Sequence, residues 1–333
     1  MIIDKEVIDF AVSEIGIMLQ KEGYVQYLDR KLTGGNIRII NKNFILIYDQ
    51  SSIKLLQIDL SLLCEINHIP IQGVSFDGKF LLVGLKEGDK QITNIYSNGI
   101  LKYSISSFNG IPLELPFILE FIEMTWSQQP MIIGKKSIET NSIIWTFSAK
   151  ELGAYDDYEG HHEGRINGPI IECNGVLVTG LSTHMVGDGI AKRIGIDVES
   201  GIVLWLKAYP ALDVPEFRNY KGELLAFGKM FSKVDPHTGE VIEDYFPFKE
   251  LTGYYHKLLI TDEYLFTSTL KTELKQISRK SGKVIWSHTL YANKEAGRRS
   301  KTINGNDPLQ YADGKLYVLD SEKTLHMLDV ARD

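Results

Sequence analysis

Along most of the chain, short apolar-rich runs bounded by Gly, Asn, Asp or Ser replace one another every few residues, the signature of strands joined by tight turns and not of long helices. One unit recurs: a β-rich run, a small turn containing Gly or Asn, and a second β-rich run with an aromatic residue near its centre. It is clearest in GIDVESGIVLWLKAY (195–209), KQISRKSGKVIWSHTL (275–290) and SKVDPHTGEVIEDYF (232–246). NIYSNGILKYSI (94–105) and KSIETNSIIWTF (136–147) are weaker copies, and LLQIDLSLLCEI (55–66) keeps only the apolar pattern.

With Gly99, Asn141, Gly201, Gly239 and Gly282 as equivalent turn positions, the successive intervals are 42, 60, 38 and 43 residues. Intervals near 40 match one four-stranded propeller blade. The strand pairs before the turns fall at 44–49 with 53–59, 80–85 with 92–96, 118–124 with 131–138, 176–181 with 193–198, 224–227 with 231–234, and 264–268 with 274–277. Gly and Asn tolerate the positive φ of a tight hairpin, and a preceding Asp, Ser or Thr closes the turn with its side chain. Tyr103, Trp145, Trp205 and Trp286 each stand four residues after a turn residue, where strand alternation aims them into the space between adjacent blades.

The expected fold is therefore an all-β, seven-bladed β-propeller occupying residues 1–333 as a single domain, with an eighth blade allowed if the N-terminal segment hides one. The final unit, DGKLYVLDSEKTLHMLDVARD, supplies two strands and lacks its outer one. Residues 1–33 are expected to close that blade with a strand at 7–12 or 24–28; Ile8, Val12, Ile15 and Leu19 fit a helix nearly as well.

GIDVESGIVLW, KVDPHTGEVI and QISRKSGKVIW resemble the repeat of quinoprotein-type β-propellers, whose blades carry a similar Asp, Thr-Gly and Trp pattern. The resemblance covers roughly residues 36–333 and implies the propeller at the level of the fold only. Quinone-dependent members are typically exported, eight-bladed, and hold a calcium site and a stacking Trp in the channel. No matching acidic cluster is identifiable here, so no cofactor is expected.

Composition narrows the functional classes. The 333 residues are 44% hydrophobic and 24% charged, with a net charge of −7 and no long run of either sign, which disfavours nucleic-acid binding. Cys64 and Cys173, 109 positions apart, argue against a disulfide framework and fit a reducing compartment. Asp4, Lys5, Glu6 and Asp9 interrupt any secretory leader, and no stretch reaches the length of a membrane helix, so the expectation is a cytoplasmic protein with no membrane partner.

Within a blade whose strands run A to D from the axis outward, the B–C loops and the D–A connections share one face, and the surplus chain falls there. It comprises 149–168, expected as an inserted loop, with 183–192, 208–222, 247–257 and 290–307. Surface loops on a rigid scaffold are where binding residues gather. The candidates for binding a protein partner are Asp156, Asp157, Tyr158, His161, His162, Glu163 and Arg165 in the first loop and Asp188 in the second. Phe217, Arg218, Tyr254, Tyr255, Arg298, Arg299 and Lys301 complete the set. His161 and His162 could ligate a metal together in a loop but would diverge in a strand. GxSxG, GxxxxGK[ST] and HExxH are absent and nothing nominates a nucleophile, so no catalytic residue is assigned. The expected function is a non-enzymatic binding protein gripping a protein partner by its long-loop face, in a sharper version a toxin-neutralising immunity protein. The alternative is an enzyme or a small-ligand binder, for a sugar or quinone, in the central channel.

Overall fold

The computed structural model describes the whole chain except residues 14–15, 41, 68–70, 77–78, 88–89, 107, 158–159, 182–189, 211–214, 228–229, 248–254, 270–272, 292–302, 304–307 and 332–333. The described residues contain no helix.

In chain order the strands are β1 (Ile2–Asp4), β2 (Asp9–Ser13), β3 (Gly16–Lys21), β4 (Tyr24–Tyr27), β5 (Arg30–Thr33), β6 (Asn36–Ile40), β7 (Phe44–Tyr48), β8 (Ser52–Gln57), β9 (Leu62–Asn67), β10 (Ile71–Phe76), β11 (Phe80–Glu87), β12 (Lys90–Ser97) and β13 (Ile100–Ser106). Next come β14 (Gly110–Pro112), β15 (Phe117–Met124), β16 (Pro130–Ser137), β17 (Ser142–Ser148), β18 (Tyr155–Asp157), β19 (Gly160–His162), β20 (Ile166–Cys173), β21 (Val176–Leu181), β22 (Ile190–Asp197), β23 (Val203–Pro210), β24 (Glu216–Tyr220), β25 (Glu223–Phe227), β26 (Met230–Val234) and β27 (Val241–Pro247). The last are β28 (Tyr255–Ile260), β29 (Tyr264–Thr269), β30 (Glu273–Ser278), β31 (Val284–Thr289), β32 (Leu309–Ala312), β33 (Lys315–Leu319) and β34 (Leu325–Asp329).

These strands form eight four-stranded antiparallel sheets, each a blade of consecutive strands except one, which has the order β1-β34-β33-β32. The N-terminal strand thus supplies the outer edge of the last blade, as expected, but the donor is Ile2–Asp4 and neither 7–12 nor 24–28. Those two stretches lie in the further blade β2-β3-β4-β5, the eighth that the N-terminal segment could hide. Its turns are short and it lacks the Gly-to-Trp spacing, so its hairpins carry no repeat signal and its packing on the neighbouring blades reveals it.

The chain divides into two compact units, residues 1–107 with 253–333 and residues 108–252. In the first, β28, β32, β2 and β6 lie side by side as the innermost strands of successive blades. Each neighbouring pair of blades shares an apolar layer: Phe10 and Val7 meet Tyr317, Leu319 and Leu325, whereas Met18 and Val25 meet Ile45 and Leu56. Gln310 ties the seam polar to polar, since its amide donates to Phe10 O at 2.8 Å and its carbonyl oxygen accepts from Val12 N at 2.7 Å.

In the second unit, blade β14–β17 packs on β20–β23 through Leu119, Ile133, Trp145, Phe147, Leu177 and Ile194, and β20–β23 packs on β24–β27 through Val178, Trp205, Phe217 and Leu224. The tryptophans fill the space between blades, as their spacing predicts. Trp145 donates its indole N–H to Val198 O of the next blade at 2.9 Å, and Trp205 donates to Pro236 O at 2.7 Å. Each ring lies flat against the turn glycine of that blade. A Cβ added to Gly201 would stand 2.5 Å from the Trp145 ring, and one at Gly239 would stand 2.7 Å from Trp205. The turn glycines therefore have two reasons to recur: φ values of 73° and 66°, and room for the indole of the preceding blade.

The same contact exists where the repeat looked weakest. Cys64 takes the aromatic position of β9, and a Cβ on Gly99 would lie 3.2 Å from its Sγ. In six blades the third and fourth strands are joined with a register shift beside this position, between Leu55 and Leu56, Ile95 and Tyr96, Lys135 and Lys136, Gly195 and Ile196, Lys233 and Val234, and Gln276 and Ile277. Such bulges increase local twist and re-aim side chains, and for Cys64, Trp145 and Trp205 they stand beside the residue that meets the next blade's turn glycine.

Candidate functional site

Strand alternation places the B–C turns and D–A connections of the unit 108–252 at one end of its blades. Two features project there: the turn between β15 and β16, and the segment between β17 and β20. Both are built on backbone hydrogen bonds.

In the first, Thr125 N donates to Gln129 O at 2.8 Å, Gln128 N to Thr125 O at 3.0 Å, and Gln129 N to Thr125 Oγ1 at 3.0 Å. This frame presents Trp126 with 94% of its surface exposed. Trp is enriched in binding hot spots, which makes this exposed indole on a hydrogen-bonded turn a candidate contact residue.

The second feature is the 149–168 segment, expected as a loop and in fact holding a hairpin, β18 with β19, where Asp156 faces His161 and Tyr155 faces His162. Its base is pinned by Gly153 N to Ala149 O at 2.9 Å and Gly164 N to Lys150 O at 2.8 Å. Gly164 crosses so close that a Cβ would sit 2.2 Å from Ala149 O. Lys192 Nζ braces the segment from β22 by donating to Leu152 O at 2.7 Å.

Lys150 couples the two features. Its ammonium lies 2.6 Å from Glu123 Oε1, beside the Trp126 turn, and 3.5 Å from Glu163 Oε2, below the hairpin. The hydrogen bond to Glu123 holds the Lys150 ammonium above its ordinary pKa. Gln129 Nε2 reaches Asn167 Oδ1 at 3.4 Å, a second link from the turn to β20.

The predicted residues separate on this scaffold. Asp156 and His161 are both exposed and share a hydrogen bond of 2.9 Å between Oδ1 and Nδ1. Glu163 is exposed, and Arg165 is half-buried with a Nε that has no hydrogen-bond partner among the described residues. His161 and His162 are consecutive in a strand and so point to opposite faces, which removes the joint ligation a loop would have allowed. Among the described residues no group of three His, Cys, Asp or Glu side chains is placed to hold a metal.

Phe217, expected at the binding face, is instead a core residue: it is 6% exposed and tilted against Trp205 with ring centroids 6.3 Å apart. Its segment is strand β24 and not a loop, and strand alternation turns Phe217 inward. Arg218 points the other way, half-buried, and pairs with Glu216 at 3.0 Å. The backbones of Asp157 and Tyr255 lie in β18 and β28, with side chains outside the description. Tyr158, Asp188, Tyr254, Arg298, Arg299 and Lys301 lie outside the described residues.

Trp126 is the residue that reading for loops missed. The signal was present, because Trp126 alone of the four tryptophans falls outside the position four residues after a turn, and Pro130 marks the end of a turn of its own.

No family model matches the chain, and no curated protein matches it. Solved structures do. The computationally designed Ika8 protein is 12% identical, with 99% of this chain and 98% of that one covered at a TM-score of 0.55. Sqt1 of Saccharomyces cerevisiae is 12% identical over 98% and 97%, at 0.53, and BamB from Moraxella catarrhalis 11% identical over 98% and 97%, at 0.51. BamB is a β-propeller, and the present chain is one of eight four-stranded blades. At such identities the likeness establishes the fold. No helix among the described residues is long and apolar enough to cross a membrane.

Proposed function

We propose that this propeller is a protein-binding module that grips its partner through the loop face of the unit 108–252, with Trp126 as the anchor and Asp156, His161, Glu163 and Arg165 as its polar surround. The observation that carries this reading is the fully exposed indole on a hydrogen-bonded turn, braced to the neighbouring hairpin through Lys150. A buried aromatic anchor ringed by polar side chains is the usual energetic plan of a protein interface. The single-domain reading of residues 1–333 and the quinoprotein-type repeat belong to the same proposal, the latter supported by the stacking of Trp145 and Trp205 on turn glycines. A reducing, cytoplasmic setting fits Cys64 and Cys173, both buried and unpaired. A stoichiometric inhibitor, such as a toxin-neutralising immunity protein, is the sharpest form of this function.

The test is capture of a partner from extract of the native cell by tagged wild-type protein and by Trp126→Ala. Removal of a hot-spot Trp should weaken capture by about 30-fold, the equivalent of about 2 kcal/mol, while the thermal unfolding midpoint stays unchanged. Equal capture by both proteins rejects this face as the binding site.

A further inference from the structure

Among the described residues each blade ends in an outer strand whose far edge has no partner strand, and proteins usually guard such edges with charge, proline or shortness. Seven of the eight outer strands here follow that rule or carry a titratable group. Asp4 lies in the three-residue β1, Arg30 and Lys31 in β5, Glu65 in β9, Lys102 in β13, Lys207 and Pro210 in β23, Glu243, Asp244 and Pro247 in β27, and His288 in β31. The exception is β17, Ser-Ile-Ile-Trp-Thr-Phe-Ser, seven residues with no ionisable side chain and no proline.

Trp145 and Phe147 point into the core, which leaves Ile143 and Ile144 at 46% and 52% exposure and Thr146 and Ser148 facing water. The patch continues inward across the sheet. A Cβ on Gly134 would lie 2.9 Å from Ile122 Cδ1 and 3.4 Å from Thr146 Cγ2, so Ile122, itself 42% exposed, and Thr146 flank a bare stretch of backbone on one face.

We propose that β17 is the surface through which two copies of this chain associate, edge to edge about a two-fold axis. Charge selects the occupant. Each copy carries a net charge of −7, so copies repel at most of their surface, and a strand that meets itself across a two-fold brings its own charges together. Only a strand with no ionisable side chain avoids that repulsion at every pH, and β17 is the one outer strand that qualifies, since β31 carries His288. Its residues also suit antiparallel pairing centred on Trp145, which sets Ser142 opposite Ser148 and the β-branched Ile144 opposite Thr146. A seven-residue edge is about 23 Å long and buries less than the roughly 1,200 Å² of a standard stable complex, so the dimer is in the micromolar range or weaker.

Sedimentation velocity on the full chain from roughly 1 μM to roughly 500 μM tests this over the range such an interface demands. The wild type should shift from monomer to dimer, and Thr146→Lys and Thr146→Glu should each weaken association by at least about 10-fold through like charges set diagonally across the axis. An equimolar mixture of the two variants should recover the dimer, because opposite charges then meet; this outcome also shows that both variants are folded. Ser287→Lys, at the corresponding position after Trp286 in β31, should leave association unchanged. A wild type that stays monomeric throughout, a Thr146→Lys variant that associates like wild type, a mixture that stays monomeric, or a Ser287→Lys variant that dissociates overturns the proposal.

Discussion

The two ends of the blades in residues 108–252 are built on opposite principles. At the C–D end the tryptophans and two lysines find their partners in the next blade. Trp145 lies on Gly201, Trp205 on Gly239, Lys135 Nζ reaches Glu199 Oε2 at 2.7 Å while standing 4.5 Å over the Phe117 ring, and Lys207 Nζ donates to Gly239 O at 2.6 Å. At the B–C end the bonds close the projecting segments themselves, within the Trp126 turn, within the β18–β19 hairpin and through the Lys150 bridge between them, with Gln129–Asn167 and Lys192–Leu152 tying them to the next blade. Side chains committed to a neighbouring blade stabilise the array, whereas side chains held by a locally closed loop are free to meet something else. The difference places the inter-blade bonds at one end and, on the function proposed above, recognition at the other.

The largest break in this comparison should come from Trp145→Ala. It empties a buried inter-blade site and strips Val198 O of its donor, so a loss of about 3–5 kcal/mol is expected in urea unfolding. A loss below about 1 kcal/mol would mean that the blades adhere without their indoles. Gly201→Ala attacks the same contact from the other side. The methyl must enter the Trp145 ring at a φ of 73°, and a destabilisation of about 1–3 kcal/mol is expected from strain and overpacking. The same substitution at Gly175, where φ is 79° but nothing stands within 4 Å of the added carbon, separates backbone strain from the clash.

The smallest effect concerns the acid side of stability. Asp197 closes the β22–β23 turn by accepting from the Ser200 hydroxyl at 2.6 Å and the Ser200 N–H at 2.7 Å, and these bonds hold its carboxyl below the ordinary aspartate value. A carboxyl depressed in the folded state contributes stability above its unfolded pKa and loses it as pH falls through the folded value. Because Asp197 is only half-buried and its bonds lie at the surface, that contribution is discounted to about a few tenths of a kcal/mol, and Asp197→Asn should flatten the pH dependence of unfolding below about pH 4 by that amount. Parallel wild-type and variant curves between pH 5 and pH 3, taken as approximate bounds of the aspartate range, would show the turn bonds to be neutral.

Much of the repeat was legible because its signals are local. A hairpin of two β-rich runs around an Asp-x-x-x-Gly or Thr-Gly turn needs only adjacent residues to specify it, and the strand pairs from Phe44 onward stand close to where that pattern put them. The first blade was not legible for the same reason. Asp9–Ser13 and Gly16–Lys21 are short, lack the aromatic spacing, and carry apolar residues that satisfy a helix as well as a strand, so only their packing on Tyr317, Leu319, Ile45 and Leu56 decides the matter. Phe217 turns inward and Trp126 outward for a related reason. Burial of an aromatic depends on which way its strand or turn faces, and that is a property of the surrounding blades.

By itself the sequence determined the all-β blade, the turn chemistry and the tryptophan spacing, because these follow from backbone sterics and strand alternation over a few residues. Only the tertiary structure decided that Ile2–Asp4 completes the last blade, that His161 and His162 diverge, and that Trp126 stands free while Trp145 and Trp205 do not. The first outcome and the burial of Trp145 and Trp205 depend on contacts between residues tens to hundreds of positions apart, where the free energy of burial selects the partner, whereas the hairpin that parts the histidines and the turn that lifts Trp126 close over a few residues that carry no repeat signal.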